Sequence, residues 1–549
     1  MTEQAGQPEW WRGAVIYQIY PLSFRDSNGD GIGDLPGVIE KLDHVASLGV
    51  DAIWLSPFFE SPLRDFGYDV SDYTAVDSVF GTLADFDELL RQAHGRGLKV
   101  LIDLVLNHSS DQHPWFTESR DRKGGKDDWY VWADARPDGA PPSNWLSVFG
   151  GPCWTWEPRR RQYYLHNFLP SQPNLNFYDD AVQEALLEVA RFWLERGVDG
   201  FRLDTVDYYF HDRELRDNPP REPSGDSWMH PEARIPYDYQ KHVFDKARPE
   251  NIGFLERLRA LLDRYPGATL LGEIGSASGV ETLAEYTAGD DRLHMAYSFN
   301  LLGERFSAGL VREVFARLEA GAAETWACWM FSNHDVPRHL SRWHDGRDEE
   351  AFAALTMALL LSLRGTACLY QGEELGLPQA QVGEEHLQDP VGKSFWPVLK
   401  GRDGCRTPMP WNAEQPNAGF SAAPPWLPVP KRHLARALDL QERAPGSVLN
   451  AYRRFIAWRR DHPALRRGSI RFEETAEPLL AFERSGEGER ILAVFNLGGE
   501  EAVLPAEDRA GLEALEGHGF AARLKDGQIR LPAYGAFFGR LPEKDGTDR

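Results

Sequence analysis

Cysteine is scarce in this chain. Four residues in 549, Cys153, Cys328, Cys368 and Cys405, lie far apart and none forms a CxxC pair. That pattern argues against a disulfide framework and against a structural zinc site. Basic charge is also in deficit: Lys+Arg number 60 against 84 Asp+Glu, a net charge of -24. Such a surface repels phosphate backbones and anionic lipid, so neither nucleic acid nor a membrane is an expected partner. Long apolar runs are missing too. The longest, 354–363, stops at Arg364 and is too short to cross a bilayer, which leaves a buried helix as its reading. The first eight residues are polar, carry Glu3, and lack the basic start and apolar stretch of a signal peptide. A cytoplasmic protein is expected.

What is present is an alternation of short β-rich runs with longer helical stretches. The chain exceeds what one hydrophobic core usually spans, so two or three domains are expected. Candidate strands cover 15–20, 52–56, 99–106, 200–206, 269–274, 296–301, 328–332 and 367–371, with helices such as 83–96, 181–196 and 254–265 between them. Near-continuous apolar runs such as KVLIDLVL (99–106) are typical of buried parallel strands. Eight such units in order predict an α/β fold, a closed (β/α)8 TIM barrel; a doubly wound sheet is the alternative. Residues 108–178, rich in Trp, Pro, Gly and Asp, read as a subdomain inserted after strand 3. The barrel then comprises 1–107 and 179–465, with 448–460 as its last helix. Short alternating runs at 469–472, 479–482, 491–495, 521–524 and 536–540 predict a C-terminal antiparallel, sandwich-like β-domain over 466–549.

A barrel of this kind keeps its chemistry at the C-terminal ends of its strands. Those ends carry Asn107 and His108, Arg202 and Asp204, Glu273, and then Asn333, His334 and Asp335. A single polar residue there is a capped or solvated strand end; this many on four strands indicate a site. Arg202 and Asp204 are two apart, so their side chains leave the same face of a strand, and Arg202 can hold Asp204 ionised as a nucleophile requires. Glu273 ends an apolar run, where partial burial raises a carboxyl pKa and keeps a proton available for a glycosidic leaving oxygen.

The segments DLVLNH (103–108), GFRLD (200–204), GEI (272–274) and SNHD (332–335) resemble, in order and on the expected strands, the four signatures of the α-amylase family, glycoside hydrolase family 13. The resemblance implies Asp204 as nucleophile, Glu273 as acid/base and Asp335 as a third carboxylate that stabilises the transition state. It also places His108, Arg202 and His334 around the sugar that is cleaved off.

Further segments are similar to the α-glucosidase and oligo-1,6-glucosidase branch of that family. QPNLN (172–176) resembles its QPDLN motif, with Asn174 in place of Asp. RDFGYDVSDY (64–73) and GCRTPMPW (404–411) resemble two loops that meet at the first glucose site. The resemblance implies that Asp65 and Arg406 hydrogen-bond the non-reducing 4-hydroxyl, with Arg402 a nearby competitor, and that Tyr68 stacks on the ring. A charged pair there closes the pocket, so one terminal glucose is released at a time. Phe149 and Phe168 match aromatic positions of the branch's pocket, and aromatic rings suit the C–H faces of sugars.

The run DSNGDGIGD (26–34) offers oxygen at alternate positions: Asp26, Asn28, Asp30, the Ile32 carbonyl and Asp34, with Gly31 at the turn. This follows the first part of an EF-hand loop but has Gly37 where the bidentate Glu belongs. It resembles the branch's Ca²⁺ loop after the first strand. A structural Ca²⁺ is expected, with Mg²⁺ the alternative cation and a plain Asp/Asn/Gly turn the reading without metal.

The residue after the nucleophile is Thr205. Relatives that prefer α-1,6 bonds resemble one another in having Val there; those that prefer α-1,4 bonds have Thr or Ala. The expectation is a retaining exo-α-glucosidase acting on short α-1,4-glucosides such as maltose, with transglucosylation as a second outcome, and a monomer or homodimer. Oligo-1,6-glucosidase, sucrose hydrolase and glucosyl-transferring isomerase are the alternatives within the mechanism. A non-catalytic, transporter-associated member of the fold is the alternative outside it; such members lack part of the carboxylate trio and carry a membrane anchor.

Overall fold

A computed structural model describes residues 9–222, 235–321 and 325–542. Its centre is an eight-stranded parallel sheet: β1 (Val15–Ile19), β2 (Ala52–Leu55), β3 (Lys99–Leu104), β4 (Gly200–Leu203), β5 (Thr269–Ile274), β6 (Met295–Ser298), β7 (Cys328–Trp329) and β8 (Thr366–Tyr370). Each strand pairs with its sequence neighbour, and β1 also pairs with β8. The last join, between β6 and β7, is a single parallel bridge from Ala296 to Ala327. The sheet is therefore a closed barrel rather than a doubly wound sheet.

Strand alternation divides the buried residues between two cores. Tyr17, Ile53, Val100, Phe201 and Leu270 point outward and pack with the surrounding helices. Ile16, Ala52, Leu101, Leu271, Met295, Cys328 and Cys368 belong to a second cluster that fills the barrel. Along the same inward rows, nearer the C-terminal strand ends, the residues become Gln18, Asp103, Arg202 and Glu273, all buried. Close strand approach dictates one glycine. A Cβ on Gly200 (φ +145°) would lie 2.1 Å from the Thr269 carbonyl oxygen, so only glycine allows β4 to sit against β5.

Several helices begin where the sequence provides caps. Thr82 and Asp85 make a reciprocal capping box at Leu83–Gly95, and Asp179 caps Asp180–Arg196, which ends on Gly197 at φ 105°. The apolar run at 354–363 falls mostly within the buried helix Glu349–Ser362. No helix among the described residues is long and apolar enough to cross a membrane.

The structure departs from the sequence reading at several points. The third strand leaves the ladder at Leu104 although Val105 and Leu106 are fully buried, because apolar character reports burial and not hydrogen bonding. The segment after β3 contains a short helix (Pro114–Arg120) and a three-stranded antiparallel sheet (Trp132–Ala133, Trp154–Glu157, Gln162–Leu165). A second long excursion, unexpected from the sequence, follows β4 and returns to the barrel before the helix Asn251–Leu262. The C-terminal part holds a five-stranded and a three-stranded antiparallel sheet, joined through Leu479, Leu492, Leu504, Ile529 and Phe537. Its strands Ala502–Pro505 and Gln528–Leu531 give too weak an alternation to be expected from sequence, since each has only two inward apolar positions.

Candidate active site

Parallel register puts Asp103 of β3 opposite Arg202 of β4, and Glu273 of β5 opposite Tyr297 of β6. All four point into the barrel mouth, and Arg202 is their hub. Its Nη1 donates to Asp103 Oδ1 and to Asp204 Oδ1, each at 2.7 Å, and its Nη2 lies 2.7 Å from Glu273 Oε2. The guanidinium is fully buried and stacks over Trp54 at 4.9 Å. A buried cation of this kind is sustained only by charged partners, and here it has three. Tyr297 accepts from Arg202 Nη2 (2.8 Å) and donates to Glu273 Oε1 (2.9 Å).

Thr205 links the two carboxylates. Its N–H donates to Glu273 Oε2 at 3.0 Å, and its hydroxyl donates to Asp204 Oδ2 at 3.1 Å. The residue sits at φ 41°, a left-handed conformation that costs a β-branched side chain energy. That strain is what aims both donors at the carboxylates.

Asp335 lies beside two guanidinium cations, Arg406 Nη2 at 3.0 Å and Arg402 Nη1 at 3.2 Å, with the His334 Nε2 hydrogen facing it at 3.3 Å. These hold its carboxyl well below the usual carboxylate range, against the burial that opposes them. Burial dominates at the other two acids. It pushes Asp204 up to about 7 and Glu273 up to about 8, with Arg202 pulling both down and the neighbouring carboxylates pushing both up. Protons therefore leave in the order Asp335, Asp204, Glu273. Burial also keeps His334 neutral. Gln18 Nε2 donates to His334 Nδ1 (2.7 Å), so Nε2 carries the imidazole hydrogen and faces the Tyr68 hydroxyl at 2.5 Å. That hydroxyl in turn donates to Asp103 Oδ2 at 3.0 Å.

Asp204, Thr205, Glu273 and Asp335 line a pocket together with Asp65, Tyr68, His108, Phe149, Phe168, Gln172, Tyr208, Phe299 and Arg402. Of the residues singled out from sequence, Asp65, Tyr68, His108, Phe149, Phe168, Thr205 and the three acids reach it directly; Arg202, His334 and Arg406 stand behind its wall. The Phe149 and Phe168 rings meet edge to face at 5.6 Å, and Phe168 also contacts His108 at 5.3 Å. One face of the Tyr68 ring is already stacked on His334, at 5.4 Å and 3°.

One pairing is corrected. Asp65 does not take Arg406 as its partner: Arg402 Nη2 lies 2.7 Å from Asp65 Oδ1. Arg406 turns instead to Asp335 and to the His334 carbonyl (2.7 Å). Arg402 is aimed by Asp389, whose Oδ1 accepts from its Nε and Nη2, and its guanidinium lies 4.8 Å over Phe149. Three residues separate the two arginines, and the short helix they form, Asp403–Cys405, turns the arginines to different acids.

Asp103, Tyr297, Gln172, Asp389 and Arg402 are the site residues to which sequence reasoning gives no role or only a secondary one. Asp103 has a signal, being a charge in an otherwise apolar buried strand. Gln172 donates to Asp65 Oδ2 at 3.1 Å. Asn174, the departure from the QPDLN pattern, does not line the pocket. It accepts from the Asn167 N–H (3.0 Å) and donates to Asn107 Oδ1 (3.4 Å), a bridging role that uses both ends of an amide.

The loop 26–34 lies apart from the pocket carboxylates. Asp26 accepts from Gly29 N (2.6 Å), Gly31 N (2.8 Å) and the Ser421 hydroxyl (2.5 Å). Asp30 accepts from Ile32 N (2.8 Å), and Asp34 caps the helix Leu35–Leu48 through Gly37 N (2.6 Å) while taking Ser27 N on its other oxygen (3.1 Å). Among the described residues no three carboxylate, imidazole or thiolate groups converge closely enough to hold a metal by themselves. A cation here would also draw on the Asn28 amide oxygen and the Ile32 carbonyl. The donor chemistry suits a hard divalent ion: every candidate ligand is oxygen, Asp26 and Asp34 are buried, and the adjacent Arg25 pairs with Glu40 (3.0 Å) instead.

Residues 18–468 match the family model for the alpha amylase catalytic domain. A probable alpha-glucosidase of Rhizobium meliloti strain 1021 is 58% identical over 539 residues, covering 97% of each chain. The oligo-1,6-glucosidase of Heyndrickxia coagulans is 36% identical over 538 residues, with 89% of this chain and 92% of that one covered. Among solved structures, the alpha-glucosyl transfer enzyme XgtA superimposes with a TM-score of 0.95 at 56% identity, over 98% of this chain and all of the other. The trehalulose synthase MutB from Pseudomonas mesoacidophila MX-45 gives 0.87 at 32% identity, with 98% and 100% covered. With the signatures, the closed barrel and the converging acids in agreement, the chain belongs to the alpha-amylase family of glycoside hydrolases and is an enzyme of that family.

Proposed function

We propose that the protein is a retaining, exo-acting α-glucosidase that releases terminal glucose from short α-1,4-glucosides such as maltose, acting in the cytoplasm. The observation that carries this reading is the Asp65–Arg402 pair, which shares a pocket with Asp204, Glu273 and Asp335. A buried charged pair beside the acids leaves room for one sugar with two hydroxyls to bind it, and blocks the passage of a polymer. Asp204 and Glu273 share one guanidinium and one threonine, which favours the spacing of roughly 5–5.5 Å of a retaining pair over the wider gap that admits a water.

In this reaction Glu273 gives its proton to the glycosidic oxygen while Asp204 attacks the anomeric carbon, forming a glucosyl ester. Glu273 then takes a proton from water, which displaces Asp204 and restores the α-anomer. Asp335, ionised throughout, offsets positive charge on the ring in both transition states. Thr205, the pocket residue that follows the nucleophile, supports the α-1,4 preference by its resemblance to relatives of that preference. Incubation with maltose, isomaltose, sucrose and trehalose separately, with the product and its anomeric form identified, tests the reading. Maltose should be cut fastest, with α-glucose first; initial β-glucose would overturn the mechanism.

A second outcome is favoured by the 56% identical relative described as an alpha-glucosyl transfer enzyme: a sugar hydroxyl replaces water in the second step. New oligosaccharides at high maltose concentration would establish it. We also propose that the loop 26–34 binds Ca²⁺, or Mg²⁺ in its place, as a structural ion.

A further inference from the structure

The excursion after β4 returns to the barrel at Lys246, a residue with no obvious place in the chemistry. Its ammonium is buried, 2% exposed, and donates to the hydroxyls of Tyr208 and Tyr237 (2.8 Å each) and to the Gly275 carbonyl (2.9 Å). The N–H of the same glycine donates to Asp207 Oδ1 at 3.2 Å. Asp207 is fully buried, and its own carbonyl accepts from Ala247 N at 2.6 Å. Both polar backbone atoms of Gly275 are thus held, one by each of two buried side chains of opposite charge.

The positions of these groups matter. Gly275 follows Glu273 by two residues, and Asp207 follows Asp204 by three. The arrangement ties the loop leaving β5 to the loop leaving β4, the two strands that carry the paired acids. Asp207 and Lys246 do not line the glucose pocket, whereas Tyr208 and Gly275, which they hold, do. Burying an ammonium and a carboxylate is costly, and each is sustained by attraction to the other as well as by its hydrogen bonds.

We infer that Asp207 and Lys246 are positioning residues that clamp Gly275 and so set where Glu273 delivers its proton. The inference rests on the reading of Glu273 as acid/base. Proton transfer is sensitive to small displacements, and a strand-end loop held at one backbone atom can still pivot; held at both it cannot.

The test compares wild type, Lys246→Met and Lys246→Arg on maltose and on 4-nitrophenyl α-glucoside. The nitrophenolate leaves with little protonation, so it bypasses the step that the clamp serves. Lys246→Met should lose about tenfold or more in kcat/KM on maltose, with KM little changed, and much less in kcat/KM on the nitrophenyl substrate, where the first half-reaction needs little protonation. The basic limb of its maltose pH profile should move, and Lys246→Arg should recover part of the loss. Equal losses on both substrates, or an effect on KM alone, would overturn the inference. If Lys246→Met does not fold, Asp207→Ala, which removes the acceptor for the Gly275 N–H, takes its place in the same comparison: a loss confined to maltose supports the clamp and equal losses overturn it. A wild type that cleaves neither substrate would remove the α-glucosidase reading itself, an outcome separate from equal losses in a variant of an active enzyme.

Discussion

Arg402 Nη2 stands 2.7 Å from both Asp65 Oδ1 and Asp389 Oδ1, so one guanidinium joins a pocket-lining carboxylate to a fully buried one. Arg402→Met leaves those two acids facing each other. It should raise KM for maltose, cut kcat/KM about 100-fold, and destabilise the protein by about 3 kcal/mol, the scale seen when a buried pair loses one member. Arg406→Met should lower kcat with less effect on KM, because Arg406 serves Asp335. Steady-state kinetics and urea unfolding separate the two; a KM effect confined to Arg406→Met would restore the pairing read from sequence.

The pH dependence follows from the order in which the acids lose protons. With Asp204 as the proposed nucleophile and Glu273 as the proposed acid, Asp204 must be ionised, so activity falls as pH drops through about 7. Glu273 must be protonated, so activity falls again as pH rises through about 8. The profile of kcat/KM should be a narrow bell between these values, which belong to the coupled pair. Glu273→Gln, assayed on 4-nitrophenyl α-glucoside, should keep the acid limb and lose the basic one. Retention of both limbs would assign the basic limb to another group.

Thr205→Val removes the hydroxyl that donates to Asp204 and leaves the backbone donor to Glu273 in place. The ratio of isomaltose to maltose hydrolysis should rise about fivefold, the equivalent of one net hydrogen bond near 1 kcal/mol. An unchanged ratio would show that linkage preference is set elsewhere in the pocket.

If the loop 26–34 holds Ca²⁺, the ion stabilises the folded state by mass action, about 2.7 kcal/mol at 100 times its Kd. Thermal scans in Ca²⁺ and in EDTA should then differ by about two to three degrees. Asp30→Ala should abolish the difference, since Asp30 is exposed and removing it disturbs no core contact. Superimposable scans for the wild type would leave the loop as a hydrogen-bonded turn.

Much of this is legible in the sequence itself. Apolar runs separated by helical stretches mark eight strands, because a parallel strand buried on both faces has no polar side to show. Asp204, Glu273 and Asp335 stand at strand ends, where a carboxylate is costly and so conspicuous. The side chains that are harder to read act across space. Tyr297 looks like one more core aromatic until the register sets it opposite Glu273. Arg402 and Arg406 are alike in type and four residues apart; only the turn between them decides which acid each meets. The clamp at Gly275 draws on three separate segments, and one of them, around Lys246, carries no regular pattern at all.

Arg202 has a consequence in time as well as in space. It is shared among Asp103, Asp204 and Glu273 before the first bond breaks. In the proposed mechanism Asp204, once esterified, no longer carries charge, and the guanidinium's field falls on the two acids that remain. Glu273 also loses a negative neighbour at that moment. Both changes lower its affinity for a proton just as the second half-reaction needs it as a base. The same cation that helps the first step begin thus resets the acid for the next, and turnover requires no movement of either group.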